Sequence, residues 1–192
     1  MESATTDKKI DIVKTLLILL VCLLLLMGGV AIAKARAPQS SQSIDRTPVR
    51  KFDLARYMGT WYEIARFDHK FERGLEAVQT TYTLEPDNRV KVENSGYDVR
   101  KGRRSVAVGK GRATDIPGRL RVSFFWIFYS DYNVLELGPD YSWALVGSSS
   151  PKYLWILSRT PTLPQETLDE ILHLARQRGY DTEGLIYVDQ SL

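Results

Sequence analysis

From residue 59 onward, apolar and polar positions alternate in short runs, and each run ends at residues that turn the chain. The first run is Gly59–Phe67, entered from a short helical turn over Leu54–Met58 that Asp53 can cap. Further runs fall at Ala77–Glu85, Val90–Tyr97, Ser105–Thr114, Leu120–Phe125, Tyr132–Leu137, Ser142–Gly147 and Tyr153–Arg159. Pro86-Asp87-Asn88, Pro117-Gly118, Gly138-Pro139-Asp140 and Ser149-Ser150-Pro151 supply turn chemistry between them. Short strands at this regular spacing predict an all-β sandwich or an up-and-down barrel. The period then changes. Between Pro164 and Arg178, Leu168, Ile171, Leu172 and Ala175 recur at helical spacing, and Gly179 comes next as a helix stop. Both faces of the Tyr153–Arg159 run are apolar, which a strand with one wet face would not show. The helix is therefore expected to cover the outside of that strand while its other face lines an interior. A last strand is expected at Leu185–Val188.

The N-terminal pattern is different in kind. Leu16–Ala33 is apolar and uncharged, preceded by Lys8, Lys9 and Lys14 and succeeded by Lys34 and Arg36. As a single membrane span it has about the minimum length for a hydrocarbon core of roughly 30 Å. As a signal peptide, Leu16–Met27 is the apolar core, Gly28-Gly29 ends its helix, and Ala31-Ile32-Ala33 is a small-residue cleavage site. Either way, the rest of the chain is delivered outside the cytoplasm. Residues 1–36 are thus a signal peptide or a membrane-spanning segment. Residues 37–51, centred on Gln39-Ser40-Ser41-Gln42-Ser43, read as a flexible tether, and residues 52–192 as the folded domain.

Composition narrows the function classes. The chain has 192 residues, 44% of them hydrophobic and 26% charged, which is ordinary for a globular domain. Its net charge of +3 lies mostly in the N-terminal segment, so no nucleic-acid partner is expected. The nearest basic cluster, Arg100-Lys101-Gly102-Arg103-Arg104, falls where a hairpin turn is expected; it is a solvated turn or, alternatively, a contact for phosphate or lipid headgroups. Cys22, the single cysteine, sits among leucines as apolar filler, so the domain has no disulfide and no thiolate chemistry. His69 and His173 lack partners at metal-ligand spacing. Gly147-Ser148-Ser149 lacks the second glycine of a nucleophile elbow, and Gly109-Lys110-Gly111 does not lead into a helix. No catalytic residue, metal or cofactor is expected, and the function class is binding, with an interaction or structural module whose interior is filled by its own side chains, or an enzyme, as the alternatives.

Three separated motifs resemble the lipocalins, and in particular the bacterial outer-membrane lipocalins, over Phe52 to Val188. Gly59-Thr60-Trp61-Tyr62 is similar to the family's Gly-x-Trp signature on the first strand. Ser130-Asp131-Tyr132 resembles its Thr-Asp-Tyr turn, and Arg159 resembles the arginine that packs over the family tryptophan. Glu63 through Gly74 is also similar to the bacterial branch. The resemblance implies an eight-stranded antiparallel barrel with a closed end, an open end and a C-terminal helix outside. It implies an apolar cargo such as a fatty acid, a lysophospholipid or a related membrane lipid, carried or stored in the bacterial cell envelope, in the outer membrane or periplasm. Two departures stand out: relatives usually carry a lipidation cysteine just after the signal core, and Trp126-Ile127 stands where they have small or turn-forming residues.

Gly59, Trp61, Asp131, Tyr132 and Arg159 are therefore expected to be structural, with Trp61 and Arg159 sealing the closed end. Val122, Phe124, Tyr132, Val134, Leu145 and Trp155 are the expected cavity lining, and Phe71, Trp126 and Phe128 candidates at the open end. Phe124 through Tyr129 holds more apolar and aromatic residues than one sheet face absorbs; they either pack under a neighbouring loop or form a greasy surface toward a membrane or ligand tail. Glu63 and Arg66 form either a buried polar pair beside the cavity or an exposed one. The partners expected are a lipophilic small molecule and, through the N-terminal segment, a membrane.

Overall fold

Each period-two run pairs with the next in chain order, and the last returns to the first. The structure is a computed structural model that describes residues 43–125 and 127–192. The short helix α1 (Leu54–Tyr57) leads into β1 (Gly59–Phe67), and then come β2 (Leu75–Glu85), β3 (Arg89–Asp98), β4 (Arg103–Ala113), β5 (Arg119–Phe125), β6 (Phe128–Leu137), β7 (Trp143–Gly147) and β8 (Leu154–Ser158). Helix α2 (Gln165–Gln177) and the short β9 (Leu185–Tyr187) complete the order. All pairings are antiparallel, and β1 closes the sheet by pairing with both β2 and β8. The result is a closed eight-stranded barrel with a helix outside. Expected and observed strands differ mainly in β6, which starts four residues early: Phe128 pairs back to Phe125, so Ser130-Asp131-Tyr132 lies inside a strand and not in a turn.

Register decides which residues face inward. Val134 lies opposite Val146, and Val146 opposite Trp155, so these three share a face. They pack with Trp61, Val90, Val92, Leu120, Ala144 and Leu157 in the barrel interior. Alternation then turns Leu145 outward. Leu145 packs with Leu135, Trp143, Leu154 and Ile156 against Ile171 and Ala175 of α2, so its expected place in the cavity lining is corrected. The apolar stripe read from the helix period is the face that docks there, and Gly179, at φ +91°, ends the helix in the left-handed conformation glycine tolerates.

One seam of the barrel is made differently. β1 and β2 pair only from Gly59↔Tyr82 to Tyr62↔Gln79, and bulges at Glu63/Ala65 and Glu76/Gln79 then bend the two strands. Beyond that point β9 pairs with β1 over Ala65–Phe67, and Ala77 N–H donates to Asp189 O at 2.7 Å. The Gln190 amide donates to Glu63 O at 2.7 Å and to Val78 O at 3.0 Å. The downstream segment stitches the two strands together.

The described part of the expected tether is held to the domain: Val49 N–H donates to Val134 O at 2.9 Å, Asp45 N–H to Arg178 O at 2.9 Å, and Pro48 is buried. Arg178 clamps this strap, donating to Thr47 O, Leu135 O and the Glu136 carboxylate. The expected signal or membrane segment, 1–36, and Cys22 within it lie outside the described residues. Among the described residues, no helix is long and apolar enough to cross a membrane.

Candidate ligand-binding site

The closed end is built on Gly59. Its φ of +94° suits glycine, and a Cβ there would sit 3.3 Å from Arg159 Nη1. With that space free, the Arg159 guanidinium lies 3.8 Å above the Trp61 ring and donates to Thr60 O, Arg56 O and Tyr57 O. Trp61 is fully buried and satisfies its indole N–H on Tyr57 O at 2.8 Å. Gly59, Trp61 and Arg159 thus converge from β1 and the end of β8. Asp131 does not join them; it pairs with Arg121 at 3.4 Å.

Above the indole, three phenols meet. Tyr57 Oη and Tyr132 Oη are 2.6 Å apart, and Tyr82 Oη donates to Tyr132 Oη at 2.9 Å. Burial pushes all three phenols above their ordinary range, so they stay neutral hydrogen-bonding groups. Of the three, the sequence pattern points only to Tyr132 as lining. The visible signal for Tyr82 is its place two residues after Thr80 on one face of β2.

Val122, Tyr132, Val134 and Trp155 all join the interior cluster, with Val122, Tyr132 and Trp155 only partly buried. Phe124 is half-exposed, its ring over Gly109, where a Cβ would come within 2.8 Å of it. Inward-facing Ala107 is exposed as well, so the mouth half of the interior wall is reached by solvent. Phe71 and Phe128 are exposed at the mouth. Trp126 lies outside the described residues.

A charged cluster crosses the interior beneath the loop 68–74. Glu63 lies opposite Leu157, which faces inward, and Arg66 Nη1 donates to its Oε1 at 2.7 Å with both side chains buried. Arg66 Nη2 donates to Glu72 O and Leu75 O, pinning the loop, and Trp155 Nε1 donates to Glu72 Oε2 at 3.1 Å. His69 Nε2 lies 2.9 Å from the same oxygen. Burial, with Glu72 as a second negative charge, pushes the Glu63 carboxyl well above its usual range, only partly offset by Arg66. Burial also opposes ionisation of Glu72, but His69, Trp155 and Arg66 overcome it and hold that carboxyl below its usual range. The two neighbouring carboxyls are thus pushed in opposite directions. Of the two readings open for Glu63 and Arg66, the structure selects the buried pair. Its signal is the two-residue step from Trp61 to Glu63 on one strand face. Among the described residues, no group of three or more His, Cys, Asp or Glu side chains is placed to hold a metal ion.

Taken together, the interior is an aromatic floor, an apolar wall open to solvent near the mouth, and one polar patch. That arrangement suits an amphiphile with a hydrocarbon tail. Comparison with known proteins places the fold in a family. A family model described as a lipocalin-like domain matches residues 52–190. The chain is 49% identical over 146 residues to outer membrane lipoprotein Blc of Escherichia coli K12, covering 75% of this chain and 82% of that protein. It is 46% identical over 148 residues to the protein of the same name from Vibrio cholerae, covering 74% and 85%. Among solved structures, insecticyanin from the tobacco hornworm superposes with a TM-score of 0.63 at 21% identity, covering 76% of this chain and 84% of that one; it shares the fold.

Proposed function

This chain belongs to the lipocalin family, and on that premise we propose that its barrel binds, stores or carries a lipophilic small molecule in the bacterial cell envelope. The cargo is a fatty acid, a lysophospholipid or a related membrane lipid. The observation that carries this reading is the interior wall: Val122, Phe124 and Trp155 are apolar yet incompletely buried, above a floor closed by Trp61 and the tyrosines. A tail laid against them removes apolar surface from water at about 25 cal/mol per Å². Relatives named outer membrane lipoproteins support an extracytoplasmic, envelope location. Residues 1–36 supply the attachment or the export signal. The protein acts by reversible binding, with no bond made or broken.

Titration of the purified protein with a long-chain fatty acid tests this. Tryptophan emission should change and saturate at one ligand per barrel, because Trp155 lies on the wall. Val122→Trp, which fills the interior, should weaken binding about tenfold or more while leaving the circular dichroism spectrum intact. Emission that drifts without saturating, for fatty acid and lysophospholipid alike, would overturn the reading.

A further inference from the structure

The rim of the mouth carries two features beyond the interior wall. Because the strands run up and down, the β1–β2, β3–β4, β5–β6 and β7–β8 connections all lie at this one end. The first feature is apolar. Phe125 and Phe128 pair at the β5–β6 turn with their rings stacked, centroids 6.2 Å apart. They are 73% and 66% exposed, Ile127 between them in sequence 60%, and Phe71 on the β1–β2 loop 70%. Scattered exposed hydrophobics need no account, but bulky ones gathered at one end do.

The second feature is charge. The β3–β4 connection brings Arg100, Lys101, Arg103 and Arg104 to the same end, all exposed, and Val99 among them is also exposed. Asp98 is the only acid nearby in that segment, and Lys101 engages it at 3.0 Å. In a chain of net charge +3, so many cations in one turn are a local concentration. Apolar rings ringed by long cations suit the boundary of a bilayer, where side chains reach the acyl region while ammonium and guanidinium groups meet phosphates. A second copy docked rim to rim would bring the two basic turns together, which like charge opposes.

We propose that this rim docks, mouth first, on the surface of a bilayer containing anionic lipid, as a contact separate from the N-terminal segment. The docked pose opens the barrel directly onto the lipid from which a ligand would be drawn. The inference does not rest on the ligand reading, since an empty barrel with this rim would dock as well.

The test uses the full chain, with Cys22→Ser and a polarity-sensitive fluorophore on Ile127→Cys, incorporated in vesicles of phosphatidylcholine and phosphatidylglycerol. Val106→Cys provides a second labelled site near the rim, and Arg89→Cys, at the start of β3 near the closed end, the control. Aqueous quencher should reach the rim label about tenfold less well than the control. Arg100→Glu with Arg103→Glu, or phosphatidylcholine alone, should restore most of that access. Three results would overturn the proposal: equal quenching at rim and control, shielding indifferent to the anionic lipid, or shielding that grows with protein density at fixed lipid, which would make the occupant another copy. Fatty-acid titration of the same samples reads ligand binding separately, so failure of one reading does not masquerade as failure of the other.

Discussion

At the level of single residues, the closed end shows how a short motif becomes a structure. Gly59 supplies the left-handed turn and the gap, Trp61 fills the floor, and Arg159 covers the indole and ties the carbonyls of Thr60, Arg56, Tyr57 and Tyr141. Trp61→Ala leaves a cavity that its fixed neighbours cannot collapse into; an expected loss of about 3–5 kcal/mol would appear as a lowered urea midpoint with an unchanged slope. Glu63 gives a pH dependence with a definite sign. Its carboxyl titrates higher in the folded chain than the ordinary 4.5, so the native state holds its proton more tightly than the unfolded state does. The stability contributed by that proton is complete below the ordinary value and is lost as pH rises through the folded one. Glu72 has the opposite sign, its contribution fading as pH falls below the ordinary range. Urea midpoints of Glu63→Gln should therefore decline less than those of the parent as pH is raised from weakly acid to alkaline. Parallel curves would show that Glu63 is not the group responsible. The sequence displays Glu63 and Arg66 but not their surroundings. Burial of that pair depends on the loop 68–74 folding across the interior, and nothing local in residues 63–66 encodes the loop's path.

Among elements, the alternating pattern locates nearly every strand because one face of each is apolar, and that requirement repeats every two residues. It falters at two kinds of place. Aromatic residues on both sides of the β5–β6 turn obscure its position, so the motif Ser130-Asp131-Tyr132 reads as a turn although it continues β6. Alternation puts Leu145 on the wrong face because β7 is buried on both sides, leaving no polar position to mark the outside. The α2 docking face supplies the outer cover. Ile171→Ala should cost about 2–5 kcal/mol, a change as large as many interior truncations, although the residue sits on an external helix. Leu145→Ala should destabilise the fold while leaving fatty-acid affinity unchanged, whereas Val122→Ala should do the reverse in proportion. Melting curves and titrations of the two variants separate the outer layer from the lining. Arg178, joining the strap, helix end and β6, has no sequence signature at all, since its partners lie as many as 133 positions away.

For the whole molecule, the eightfold repeat of strand and turn, together with the Gly-x-Trp and Arg159 motifs, carries the barrel and its family. The number of strands comes from spacing alone, whereas the choice of an up-and-down barrel over a sandwich comes from the family resemblance. Closure does not, because it depends on how far β1 reaches around to β8 and on the bulges that set the curvature. The division of the interior into floor, wall and polar patch likewise belongs to the assembled cylinder and to no single strand.

The seam between β1 and β2 has a consequence for how this protein comes into being. Gln190 bridges to Glu63 from 127 positions downstream and to Val78 from 112. A ribosome therefore releases nearly all of the domain before the cylinder can be sealed, and contacts so distant in sequence form slowly. Through synthesis the polypeptide stays an unfinished ribbon, which is the state a secretion pore can thread.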